Sequence, residues 1–387
     1  MSDDQVQEDR DEPKEPRDGI ALALSGGGYR AMLFHVGAIL RLNEAGLLPK
    51  LKRVSSVSGG SITAGVLGLN WTKLTFQTRP DGAMVAADLD ERLIQPIRKI
   101  AAETIDGWSV GLGVLIPGMT IGDFVARNYS RYLFGEATLQ DLPADSEGPR
   151  FVINATSVQT GDLVRFSKPF AADYQVGQIM APRIPLAQAV AASSAFPPVL
   201  SPVTIDVDPD DFKRDRETPL QQRPFNDAWV LSDGGVYDNL GLETVFKNYK
   251  TLLVSDGGAK IAPEGAPASN WAEHSKRIID IVDNQVRSLR KRQLIDAFIN
   301  GTRTGTYWGI RTDIDDYQIS PTLPALHPRT LQLAKVPTRL KAMSEPLQNQ
   351  LMNWGYAVSD AALRAHCADL LPPGFPPAAF PFPGGVG

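Results

Sequence analysis

Two strand, glycine turn and helix units in close succession near the amino end leave this chain few folds to choose from. Ile20-Ala21-Leu22-Ala23-Leu24 is a short unbroken apolar run, as a parallel strand covered on both faces requires. Ser25-Gly26-Gly27-Gly28 follows, and residues 29–45 then place Leu33, Val36, Ile39, Leu40 and Ala45 at helical spacing, with Gly46 as the stop. The unit repeats at once, with a strand over 54–57, a turn at Ser58-Gly59-Gly60 and a small-residue helix over 61–69. This repetition predicts an α/β fold with a mainly parallel central sheet. Further strands are expected at 151–155, 228–231 and 251–254, and helices at 185–195, stopped by Pro197-Pro198, and at 271–299. Ligands of such sheets bind outside the carboxyl ends of the strands, so the glycine turns are expected to line one site.

Composition narrows the class. Of 387 residues, 43% are apolar and 21% charged, a globular balance. A net charge of −5 gives no global attraction for nucleic acid, which disfavours that partner. Cys367 is the only cysteine, excluding an internal disulfide and a Cys-rich metal site. Residues 1–18 are charged and lack the apolar stretch of a secretory signal, and no later run approaches the roughly 18 apolar residues that span a bilayer. The expected layout is a solvated tail over 1–18, one large domain over 19–366 with its motif-bearing core at 19–260, and a Pro-rich tail or strap over 367–387. Residues 206–223, charged and Pro-containing, read as an exposed excursion. The expected location is cytoplasmic, peripheral on membranes at most; oligomeric state is left open.

Ser56-Val57-Ser58-Gly59-Gly60 is close to the G-x-S-x-G nucleophile elbow, with serine at the first glycine position. Gly26-Gly27-Gly28-Tyr29-Arg30 joins a strand to a helix, and its N–H groups can form an anion cradle for an acyl-transfer oxyanion. Arg30 adds charge there or braces the loop. Gly26-x-Gly28-x-x-Ala31 also fits a dinucleotide fingerprint, but the acidic ribose anchor expected at the end of the second strand is replaced by Ser55-Ser56-Val57-Ser58. A serine nucleophile needs a base. Of the four histidines His35, His274, His327 and His366, none sits in a glycine turn after a strand; His327 and His366 fall in late, Pro- or Ala-rich surroundings, which leaves His274, following both candidate acids in the order of an α/β-hydrolase triad, as the best-placed histidine for one. Two aspartates do sit so: Ser232-Asp233-Gly234-Gly235 and Ser255-Asp256-Gly257-Gly258. Either carboxylate, ordinarily near pKa ~3.9, is a poor base for a serine hydroxyl, so the site must desolvate it or have it take the proton only as the C–O bond forms.

At this point the glycine loop, the serine turn and Asp233-Gly234-Gly235-Val236-Tyr237-Asp238-Asn239-Leu240-Gly241 together resemble the three blocks of patatin-like phospholipases. The stretch 154–161 and the segment Ala191-Ala192-Ser193-Ser194-Ala195-Phe196-Pro197 resemble that family's middle region. The resemblance runs from about Gly19 to Lys260. It implies a three-layer fold with helices on both faces of the sheet, and hydrolysis of acyl esters in phospholipids, lysophospholipids or neutral lipids. It also implies Ser58 as nucleophile, Asp233 as base, Gly26, Gly27, Gly28 and Arg30 as the oxyanion loop, and no metal or organic cofactor. Ser56 departs from the family's glycine, and Gly60, Gly234 and Gly235 match it.

Two features bear on lipid access. Residues 108–119, WSVGLGVLIPGM, read either as a lid or interfacial patch or as a buried loop. Arg287, Arg290, Lys291 and Arg292 on the helix over 271–299 either meet anionic headgroups or form a solvated face. The functions competing with lipid hydrolysis are a Ser-His-Asp esterase using His274, a nucleotide-binding oxidoreductase and a non-catalytic lipid-binding module.

Overall fold

The computed structural model describes residues 15–106, 120–213, 218 and 220–387. Residues 108–119 lie outside these. The strands are β1 (Arg17–Leu24), β2 (Leu51–Ser56), β3 (Phe76–Thr78), β4 (Met84–Ala86), β5 (Arg150–Ser157), β6 (Leu163–Phe166), β7 (Phe170–Asp173), β8 (Gly177–Met180), β9 (Val203–Asp206), β10 (Ala228–Asp233), β11 (Tyr249–Asp256) and β12 (Thr304–Gly309). The helices are α1 (Gly28–Glu44), α2 (Gly59–Asn70), α3 (Gln95–Ala101), α4 (Ile121–Tyr129), α5 (Leu186–Ser193), α6 (Gly235–Asp238), α7 (Glu243–Phe246), α8 (Trp271–Ile299), α9 (His327–Ala334) and α10 (Glu345–His366).

One sheet carries the fold, in the order β12-β11-β1-β2-β5-β6-β7-β8. Its first five strands are parallel, and β6 to β8 continue it as an antiparallel meander. The alternation of side chains along a strand separates two cores. Leu22 and Leu24 of β1 join the large core containing Leu33 and Val36 of α1 and Leu351 and Trp354 of α10. Ala21 and Ala23 face the opposite way, with Leu252 and Val254 of β11, Val245 of α7 and Leu294 of α8. Helices therefore cover both faces, as the three-layer expectation required. Arg41 of α1 pins α10 through Asp360 at 2.6 Å, an ion pair with both side chains buried.

The register of β5 explains how the serine and aspartate turns meet. β2 pairs with β5 in parallel up to Ser56 opposite Ile153. From Ala155 onward the partner is β10, which runs antiparallel and brings Asp233 opposite Ala155. Because β6 already occupies the other edge of β5 at these residues, β10 lies on the edge that β2 has just left. The ends of β2 and β10 thus meet head-on in one lane of the sheet. The serine and aspartate turns converge for that reason, and not because both strands are parallel.

β1 begins at Arg17, two residues before the expected Gly19. Asn353 of α10 donates to the carbonyls of Phe382 and Gly385, both at 2.8 Å, which ties the Pro-rich end to that helix.

Candidate active site

Ser58 occupies the sharp turn between β2 and α2, with φ 51° and ψ −121°. A non-glycine residue in this region costs about 1–3 kcal/mol and persists only where its surroundings over-determine it. A chain of buried hydroxyls does so. The Ser58 N–H donates to Ser193 Oγ at 3.0 Å. Ser61 Oγ lies 2.9 Å from Ser193 Oγ and donates to Ser56 Oγ at 3.0 Å, and Ser56 donates to the Val152 carbonyl at 3.2 Å. Donor counting then makes Ser193 the donor to Ser61, so each hydroxyl gives one proton and accepts one. Ser56 is part of strand β2, and its hydroxyl fills a place in this chain that a glycine could not. Gly60 is fixed by close approach: a Cβ there would lie 2.4 Å from the Leu24 carbonyl oxygen.

Asp233 ends β10, 2% exposed. Its N–H donates to the Ala195 carbonyl at 2.9 Å, and Oδ1 accepts the Gly235 N–H at 2.7 Å. Burial pushes its pKa up to about 7, against the opposing pull of hydrogen bonds from Gly235 and from the Ser58 side chain; the neighbouring Asp283 carboxylate adds to the rise. Desolvation has produced a carboxylate poised for proton transfer near neutrality. Gly234 is required where it stands, since a Cβ would lie 2.4 Å from the Asn154 carbonyl oxygen.

The N–H groups of the glycine loop divide between bonded and open. Gly26 N–H is spent on the Asn239 carbonyl at 3.0 Å. Gly27 and Gly28 line the cavity with φ 145° and 59°, and their N–H groups have no protein acceptor among the described residues. Arg30 braces the loop from behind: Nε and Nη2 donate to the Gly257 carbonyl at 3.1 and 2.9 Å, and Nη1 to that of Val336. Burial and nearby Arg287 lower its pKa to about 10, so it stays a cation at neutral pH.

These groups open into a cavity of about 610 Å³. Phe196, Pro197, Pro198, Val199, Leu200 and Ile261 form an apolar wall; Lys276, Arg277, Asp280, Asp283 and Asn284 of α8 form a polar one. Thr338, Arg339 and Leu340, far downstream of the motifs, close the cavity against the glycine loop, where the Tyr29 N–H donates to the Arg339 carbonyl at 3.1 Å. Sequence motifs point neither to this wall nor to the support by Ser193, although Ser193 lies in the segment 191–197 that resembles the family's middle region.

The other sequence candidates lie elsewhere. His274 is exposed on the first turn of α8, and no histidine lines the cavity. His35 is buried between Ser255 Oγ (2.8 Å) and the Ser25 carbonyl (2.9 Å), and burial lowers its pKa to about 4. Asp256 is not a cavity residue; it is held by Tyr307, Gly258 and Arg287. The basic cluster of α8 does not share one face: Arg287 is buried beside Asp256, Arg290 pairs with Glu243 at 2.8 Å, and Lys291 covers the Tyr307 ring. Among the described residues, no helix is long and apolar enough to cross a membrane.

Fold and site together are those of an α/β protein in which a strained strand-to-helix turn holds a serine against a buried aspartate. The profile of the patatin-like phospholipases matches residues 22–246, and the chain belongs to that family. A search of curated proteins finds no match. Among solved structures, the chain is similar to human GIVD cytosolic phospholipase A2, at TM-score 0.50 and 14% identity, covering 91% of this chain and 60% of that one. The same human enzyme in complex with methyl gamma-linolenyl fluorophosphonate gives TM-score 0.51 and 15% identity, covering 95% of this chain and 61% of that one. At such identity the likeness establishes the fold, and this chain spans about 60% of the human enzyme's length.

Proposed function

We propose that this protein is a serine lipid acyl hydrolase, acting on acyl esters of phospholipids, lysophospholipids or neutral lipids. The observation that carries the reading is the Ser58 hydroxyl facing a desolvated Asp233 carboxylate inside a cavity with one apolar wall. Ser58 Oγ attacks the ester carbonyl as Asp233 takes its proton. The tetrahedral oxyanion is met by the N–H groups of Gly27 and Gly28 and by the amino end of α2, each well-placed donor lowering the barrier by roughly 3 kcal/mol. Collapse expels the alcohol, which leaves with the proton from Asp233. Water then attacks the acyl-enzyme, Asp233 accepts its proton, and the free fatty acid departs as that proton returns to Ser58. The acyl chain lies along Phe196 and Leu200, where each buried methylene contributes about 0.8 kcal/mol.

The test joins labelling to turnover. A fluorophosphonate probe is expected to modify Ser58, and the protein to hydrolyse a medium-chain p-nitrophenyl ester; Ser58→Ala, with its circular dichroism unchanged, is expected to lose both. Ester hydrolysis surviving in Ser58→Ala would overturn the mechanism.

A further inference from the structure

Over its first five turns, helix α8 is built inside out. Lys276, Asp280, Asp283 and Asn284 line the cavity, and Arg287 on the same face is buried. On the other side Trp271, Ile278, Val282 and Leu289 stand 83%, 45%, 56% and 56% exposed. At 100° per residue those four fall within roughly 40° of one another and opposite the cavity-facing set. A surface helix of a globular domain ordinarily shows the reverse, apolar residues inward and charges outward. The cavity accounts for the polar inner face; no protein element covers the outer stripe among the described residues.

We infer that this outer stripe of α8 is the surface that docks on lipid, so that the helix roofing the cavity lies between the active site and the lipid phase. The inference rests on the proposed hydrolysis of lipid esters, because the helix that would touch the lipid phase is the one whose inner face lines the reaction cavity. Trp271, at the start of the helix, suits the headgroup boundary, where an aromatic ring with a polar edge is favoured. A second copy of the helix fits less well. Exposed Gln285 and Arg292 continue the stripe beyond Val282 and would be buried in a helix seam, whereas at a bilayer boundary both reach headgroups and water. The contact is mainly apolar, since Arg287 and Arg290 are engaged by Asp256 and Glu243 and leave Arg292 as the cation at the edge of the stripe.

The experiment is co-flotation of the full chain with neutral phosphatidylcholine vesicles, in low and high salt, for wild type and the double variant Ile278→Ser, Val282→Ser. Wild type is expected to bind with little salt dependence, and the double variant at least tenfold more weakly. Hydrolysis of a soluble short-chain ester is expected to be unchanged within twofold, which also verifies folding. Equal vesicle binding by both proteins overturns the proposal. So does a wild-type dimer by light scattering that the variant dissolves, because the stripe would then belong to a second copy. If wild type binds vesicles through the stripe yet hydrolyses no ester, the docking surface stands and the hydrolase reading falls.

Discussion

Two turns of this molecule share the sequence Ser-Asp-Gly-Gly, each follows an apolar strand, and each aspartate accepts the N–H of the residue two further on, at 2.7 Å for Asp233 and 2.8 Å for Asp256. Their electrostatics are opposite. Burial lifts Asp233 to about 7, with only a serine hydroxyl and one N–H to offset it. Burial pushes Asp256 up as well, but Arg287, the Tyr307 hydroxyl and the Gly258 N–H outweigh it, and the net shift is downward. The difference comes from where each strand ends. Asp233 arrives antiparallel, in the lane that β2 vacates, facing a cavity; Asp256 arrives parallel, between β1 and β12, beside groups that hold it ionised. One motif has become a candidate base and the other a structural anion, and local sequence does not distinguish them.

The largest expected effects come from replacing each aspartate by asparagine. Asp233→Asn should lower kcat on a p-nitrophenyl ester by a factor on the order of 10⁴, as loss of a general base does. It should also make the protein more stable at alkaline pH. A raised carboxylate pKa means that ionisation opposes folding: the penalty is absent below the unfolded pKa near ~3.9, grows as pH rises, and is complete above about 7. Removing it should contribute up to about 4 kcal/mol at pH ~8, seen as a higher Tm there and as no change in acid. Asp256→Asn should do the reverse, keeping kcat within a few-fold while costing about 3 kcal/mol, because Arg287 is left buried without its anion. Its lowered pKa gives stability above the unfolded value that is lost as pH falls. Activity lost only in Asp256→Asn would reverse the roles assigned to the two turns.

A pH profile breaks the comparison another way. If Asp233 is the base, kcat/KM should fall on the acid side with an apparent pKa near 7, dropping about fiftyfold between pH ~7 and ~5. Asp283, itself raised to about 6 by burial, lifts Asp233 through its negative charge. Asp283→Asn should therefore move the acid limb to lower pH. A limb near pKa ~4 in wild type would mean that the reactive carboxylate is not desolvated.

Much of this was legible in the sequence, because strand, glycine turn and helix are local patterns. The two β-turn-α units, the span of α8 at 271–299 and the candidacy of Ser58, Asp233 and Asp256 all follow from short stretches, and the preference for Asp233 rests on the family resemblance. The direction of β10 does not. An apolar run reads the same whether its strand is parallel or antiparallel, and the polarity is fixed by pairing with β5, more than 70 residues earlier in the case of Thr156 and Asp233. The choice between the two aspartates depends likewise on Tyr307, 51 residues beyond Asp256. The basic cluster of α8 suggested a single charged face; helical geometry instead sends Arg287 inward and Arg290 to Glu243, leaving an apolar outer stripe.

The smallest expected effect isolates what the Asp233 turn has and the Asp256 turn lacks: a strained residue that must be held opposite it. Ser193 accepts the Ser58 N–H and ends the hydroxyl chain through Ser61 and Ser56. Ser193→Ala leaves that N–H without its acceptor and lets the turn relax from φ 51°, so Ser58 Oγ is aimed less well at the carbonyl. The expected loss is about tenfold in kcat with KM little changed, alongside about 1–2 kcal/mol of stability from the unsatisfied donor. Fluorophosphonate labelling of Ser58 should slow in the same proportion as kcat, because both reactions depend on the aim of one oxygen. Asp256→Asn should leave the labelling rate alone, since its turn neither lines the cavity nor touches the elbow. A Ser193→Ala variant that raised KM and left labelling unchanged would make Ser193 part of the cavity wall, and the strain at Ser58 would then be carried by α2 alone.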